Sequence, residues 1–173
     1  MKLYHFSEDP NITSFTPRSP IANPEKDPFV WAIDEERSPL YFLPRDCPRA
    51  CFWLLESTND RDRKEYLQTT SARIVIAVEF GWLERIQSAS LYRYRMPPET
   101  FVPEGDSPER RYGAYISRVK VVPISVEPLN DLLEAMRREN IEIRLCQSLS
   151  PLATSLVETS LHYSLIRMRN AIS

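Results

Sequence analysis

Residues 73–80 read RIVIAVEF: five apolar residues, four of them β-branched Ile or Val, closed by an acid and an aromatic. No other stretch of the chain reads so clearly as a strand. Several shorter stretches share its character. Residues 2–6 (KLYHF), 29–33 (FVWAI), 50–55 (ACFWLL) and 90–96 (SLYRYRM) read as strands. Residues 114–126 (AYISRVKVVPISV) supply one or two more, broken at Pro123, and 141–146 (IEIRLC) and 164–168 (SLIRM) follow near the end. Amphipathic spacing predicts helices over 129–140, where Leu129, Leu132, Leu133 and Met136 share a face, and over 150–161. Asp34 starts a predicted short helix reaching Pro44, the cluster Ser57-Thr58-Asn59-Asp60 starts another to Gln68, and residues 82–87 read as a helical turn. The reading is a single α+β domain over residues 1–173, with many short and mostly antiparallel strands.

Composition narrows the function classes. The chain has 173 residues and a net charge of −2, so no basic field recruits nucleic acid. No apolar run approaches a membrane span, and residues 1–10 lack the apolar core of a signal peptide, so a cytoplasmic location is expected. Three glycines against 15 prolines exclude a glycine-rich phosphate loop. The prolines predict extended loops over residues 10–26 and 97–111.

The chemistry-bearing residues are few. Two histidines and three cysteines give no metal-ligand spacing, so no metal is expected. Cys47 lies between Arg45 and Arg49, which would make it a reactive thiolate if exposed. Arg18, Arg45, Arg49, Arg118, Arg167 and Arg169 suit phosphate or carboxylate groups. In an extended segment, Arg167 and Arg169 would share a face. Glu79, Glu99, Glu104 and Asp106 are the acid–base candidates.

Two resemblances follow from these pieces in order. LYHFSEDPNI, WAIDEE, PRDCPR, LYRYRMPPETF and the terminal IRMRNA resemble an uncharacterised bacterial family carrying only a domain-of-unknown-function label. More distantly, the order of elements resembles the ADP-ribosyltransferase fold, in particular its rifamycin-modifying branch. There a first strand ends in a histidine that holds the nicotinamide-side ribose of NAD, as in Leu3-Tyr4-His5-Phe6-Ser7, and a second carries an aromatic that stacks on nicotinamide, as in Val30-Trp31-Ala32-Ile33. Residues 73–79 resemble its next core strand, and 115–118 with 121–123 its closing strands. The resemblance implies split antiparallel or mixed sheets over residues 1–128, with a cleft between them, and a helix-strand-helix-strand appendage over 129–173. It implies NAD as cofactor, bound by His5, Arg18, Trp31, Tyr41, Arg45 and Tyr115, with ADP-ribose passed to an acceptor. The catalytic acid would be Glu99, Glu104 or Asp106. Trp31 replaces the usual tyrosine, and the closing strand opens Gly113-Ala114-Tyr115, where many members place a glutamate. The other reading of the same fold is a non-catalytic module that binds a nucleotide or a protein.

Overall fold

The computed structural model describes residues 1–20, 24–67, 69–105 and 113–172. Its strands in chain order are β1 Leu3–Ser7, β2 Val30–Asp34, β3 Arg49–Trp53, β4 Ile74–Glu79, β5 Leu91–Met96, β6 Val102–Pro103, β7 Ala114–Ser117, β8 Ser125–Leu129, β9 Ile141–Cys146 and β10 His162–Ile166. Its helices are α1 Asp60–Asp62, α2 Leu83–Ser88, α3 Leu132–Arg138 and α4 Ser150–Leu156. The protein is therefore mixed α+β with two sheets. It divides into two compact units: Met1–Phe42 with Ser90–Asn130, and Leu43–Ala89 with Asp131–Ser173.

The first unit is an antiparallel sheet in the order β6-β7-β2-β1-β5-β8. Leu3, His5 and Ser7 lie opposite Met96, Tyr94 and Tyr92. Leu3 also faces Asp34, and Ala32 faces Tyr115. Because side chains alternate, these residues share one face of the sheet. That face carries a core of Leu3, Val30, Ala32, Tyr94, Met96, Phe101 and Val121, with Ile12, Phe15, Tyr92 and Tyr115 packed against it. Of the loop predicted over residues 10–26, Pro10 and Asn11 form a turn, residues 12–20 carry no helix or strand, and 21–23 lie outside the described residues; Phe15 and Arg18 form single bridges to Val121 and Phe29. Tyr94, fully buried, fastens the start of this segment by donating to the Asp9 carbonyl at 2.6 Å and accepting from the Ile12 N–H at 3.2 Å.

The predicted helix after Asp34 shrinks to one 3₁₀ turn, Ser38–Tyr41. Asp34 does cap locally, its Oδ1 accepting from the Arg37 N–H at 2.8 Å. Pro39 opens the turn and Pro44 follows shortly, which leaves no room for a regular helix. Gly113 sits at φ 74, and a Cβ there would fall 2.7 Å from Asp34 Oδ1. Only glycine fits both conditions.

The second unit is a sheet in the order β10-β3-β4-β9. RIVIAVEF forms its centre, and β3 and β4 are buried along their whole length. Ala50, Phe52, Val75 and Ala77 pack with Leu67, Leu149, Leu156 and Leu161 into the core of one face. The β4–β9 pair is parallel and the other pairs are antiparallel. The helix-strand-helix-strand order after residue 129 is present as α3, β9, α4 and β10, but it is no appendage. β9 and β10 flank β4 and β3 and complete their sheet.

Two helix predictions run long, and a third changes type along its length. Leu129 ends β8 instead of opening a helix, because Asp131 caps α3 by accepting from the Glu134 N–H at 2.9 Å. The helix predicted over 150–161 stops at Leu156. The one predicted over 60–68 is capped by Asn59 but gives a single α turn, and continues as a π-helix over Arg63–Leu67. The last strand lies two residues earlier than predicted. Arg167 takes the left-handed conformation and a 3₁₀ turn, Met168–Asn170, follows. Arg167 and Arg169 therefore do not share the face of a strand.

Candidate functional site

β1 brings His5 beside β2, where its Nδ1 lies 2.8 Å from the Trp31 carbonyl oxygen. A carbonyl only accepts, so Nδ1 carries the proton of this bond. The ring is half-buried and lies 4.6 Å from the Phe15 ring. Tyr115 shares this face and packs on the same core.

The Trp31 side chain projects from the opposite face. Its ring lies 4.6 Å from Tyr41, which stacks on Phe6 at 6.5 Å and an interplanar angle of 13°. Phe42, buried beneath, is 5.5 Å from Phe6. Phe6, Trp31 and Tyr41 are each half-buried. Of the expected NAD-binding residues, the structure thus joins Trp31 with Tyr41 and sets His5 and Tyr115 on the other face. Phe6 is the member of the aromatic group that sequence reading missed. Its place in β1, one residue after His5, was the available signal.

The charged candidates scatter. Arg18 is exposed beside Phe29, Arg118 pairs with Asp27 at 3.0 Å, and Arg45 belongs to the second unit. Glu99 is exposed in the 3₁₀ turn Pro98–Thr100, and Glu104 pairs with Lys26 at 2.7 Å. Asp106 and most of the predicted loop end lie outside the described residues. Gly113, just before β7, is held by its φ and by Asp34, so a side chain there would be strained and would meet the Asp34 carboxylate. Burial raises the Asp34 carboxyl above its ordinary range.

In the second unit, Glu79 is a buried structural acceptor. Its Oε1 receives the N–H groups of Leu149 at 3.1 Å and Ile172 at 2.9 Å, while the buried Oε2 accepts none among the described residues. Cys47 is fully buried. Burial pushes its thiol up to about 12 and outweighs the neighbouring Arg49. A groove of about 510 Å³ runs between α1 with its π-helical continuation and α4, lined by Arg61, Asp62, Tyr66, Ser155 and Glu158 among others. Its Asp62 is committed to structure, accepting from Ser160 N and Oγ at 2.6 Å each and from Asn59 Nδ2 at 2.9 Å.

Among the described residues, no three His, Cys, Asp or Glu side chains gather to hold a metal ion, and no helix is long and apolar enough to cross a membrane. No curated protein and no solved structure matches this chain. A family model does match, over residues 4–171 and therefore nearly the whole chain. The chain belongs to this family of unknown function, DUF6886.

Proposed function

We propose that the first unit binds a nucleotide of the NAD class and acts as a binding module rather than as an ADP-ribosyltransferase. The observation that carries this reading is the group of half-buried rings Phe6, Trp31 and Tyr41 on one sheet face. Half-buried rings keep apolar surface on which a flat heterocycle can pack, each stacking contact being worth about 1–3 kcal/mol. Arg18, exposed in the same unit, is the guanidinium for the pyrophosphate. His5 serves as a strand residue that fixes β2, not as the ribose ligand. The module reading draws on Gly113, where a side chain would be strained, and on Glu104, which is already paired with Lys26.

Calorimetry with NAD tests it on wild type, Trp31→Ala and His5→Ala. Saturable binding that weakens about tenfold or more in Trp31→Ala and survives in His5→Ala is expected. No binding at millimolar NAD overturns the nucleotide. Release of nicotinamide by the wild type overturns the module and returns ADP-ribosyl transfer, with Glu99→Gln as the next variant.

A further inference from the structure

The groove between α1, its π-helical continuation and α4 lies wholly in the second unit. Its volume of about 510 Å³ falls in the range of small-ligand pockets. One wall comes from Arg63–Leu67, five residues of π-helix, a rare geometry that recurs at functional sites. Tyr66 stands in that wall. Its half-buried ring meets Phe52 edge-on at 6.2 Å and an interplanar angle of 81°, which anchors it to the core. Its hydroxyl has no hydrogen-bond partner among the described residues.

The rest of the polar lining consists largely of acceptors. The hydroxyls of Thr154, Ser155 and Thr159 donate back to the carbonyls of Ser150 at 3.0 Å, Leu152 at 3.1 Å and Leu156 at 2.8 Å. Their protons are engaged, so they offer lone pairs to the groove. Asp62 is 7% exposed, and its Oδ2 takes all three bonds from Ser160 and Asn59. The carboxylate is thereby fixed, with Oδ1 left without a hydrogen-bond partner among the described residues. The same bonds hold its carboxyl below the ordinary range, so it is ionised near neutral pH. Glu158 is exposed and forms no ion pair with a described residue. The groove meets α4 at its C-terminal end, where the carbonyl dipoles add the same sign. Arg61 is the cation of the lining, and it lies 3.7 Å from Glu65. That contact offsets Glu65 and leaves Asp62 and Glu158 as the unbalanced charges.

We propose that this groove binds a small organic cation with primary ammonium groups, of the linear di- or triamine class. Each ammonium brings three N–H donors to a lining that is rich in acceptors and poor in donors. Tyr66 and Pro151 give the methylene chain an apolar wall, and a tyrosine ring attracts a cation over its face. A chain amine can reach carboxylates that stand apart. A bare metal ion needs its ligands gathered, and no three His, Cys, Asp or Glu side chains gather among the described residues. A quaternary ammonium would suit the ring but would leave the acceptors unmatched. The site lies in the second unit and does not depend on the NAD reading of the first.

Titration calorimetry of the full chain with spermidine at low salt tests it. Saturable binding is expected, weakened about tenfold by Glu158→Gln and lost in Thr154→Arg, which places a cation in the groove. Both positions are exposed, and arginine favours a helix more than threonine does. The two variants therefore keep the melting temperature, and their loss of binding is not unfolding. Glu84→Gln makes the same change of charge in α2, outside the groove lining, and leaves binding unchanged. Tetramethylammonium, which has no N–H donor, binds about tenfold more weakly than spermidine or not at all. Putrescine matching spermidine supports a diamine site, and putrescine binding more weakly supports a triamine site. No saturable binding at millimolar spermidine overturns the proposal. Equal weakening by Glu84→Gln and Glu158→Gln overturns it too, because net charge alone would then attract the amine. So does magnesium chloride or tetramethylammonium binding as tightly as spermidine.

Discussion

His5 donates from Nδ1 to the main-chain oxygen of Trp31 at 2.8 Å, while the indole of Trp31 points away from it on the other face of the sheet. The two residues most suited to hold one nucleotide are thus bound to each other through the backbone and divided by the sheet. His5→Ala removes that hydrogen bond, worth about 1 kcal/mol, together with the contact to Phe15. A loss of about 1–3 kcal/mol in urea unfolding is expected, with nucleotide affinity changed less than about twofold. A stable His5→Ala variant that loses NAD binding would restore the ribose role.

Gly113→Ala tests the glycine that precedes β7. The new Cβ meets the Asp34 carboxylate at 2.7 Å with φ at 74. Destabilisation of about 1–3 kcal/mol is expected, read as a lower melting temperature. Asp34→Ala in the same chain recovers the part due to the clash. Full stability in Gly113→Ala would mean that the turn can move, and an acid could then be accepted there.

Glu79→Ala removes the acceptor shared by Leu149 and Ile172. The Leu149 N–H is left buried and unsatisfied, which costs about 1–3 kcal/mol, while water can reach the more exposed Ile172. Glu79→Gln retains an acceptor oxygen and loses less. Equal losses in the two variants would show that charge, not acceptance, is what the site needs.

Acid should weaken the second unit in a definite window. Hydrogen bonds from Ser160 hold the Asp62 carboxyl below its ordinary range, and Arg137 and Arg138 hold Glu134 down to about 2. A folded pKa below the unfolded one means that stability is present above the unfolded value and disappears as pH falls through the folded one. The melting temperature should therefore hold steady down to about pH 5 and decline below about pH 4. Asp62→Asn makes the decline shallower, and an unchanged slope would remove Asp62 from the account.

Iodoacetamide should leave Cys47 and Cys51 untouched in the folded protein near neutral pH. Burial pushes both thiols up to about 12, so the reactive thiolate is scarce and shielded. Cys146, half-buried, reacts first, and all three react in urea. Rapid labelling of native Cys47 would bring back a thiol-dependent chemistry.

Much of the fold was legible because local chemistry fixes it. Alternating β-branched runs place β4 and β9 to within a residue, and β1, β2 and β5 are as clear. Helix ends were less legible. Where Asp131 or Asn59 accepts a backbone N–H, the cap decides the start, and side-chain periodicity does not record which of several polar residues will do so. Trp31 and Tyr41 of the candidate site were visible one by one, whereas Phe6 joins them only through the pairing of β1 with β2.

The sequence by itself determined the α+β class, most strand positions and the lack of a glycine phosphate loop. Tertiary structure decided which strands pair and in what register. That pairing put His5 and Trp31 on opposite faces, drew β9 and β10 into one sheet with β3 and β4, and brought Arg167 against Arg45 from the far end of the chain. Spacing along a strand dictates alternation, because each residue turns by half a revolution. It carries no information about which distant strand will supply the neighbouring hydrogen bonds.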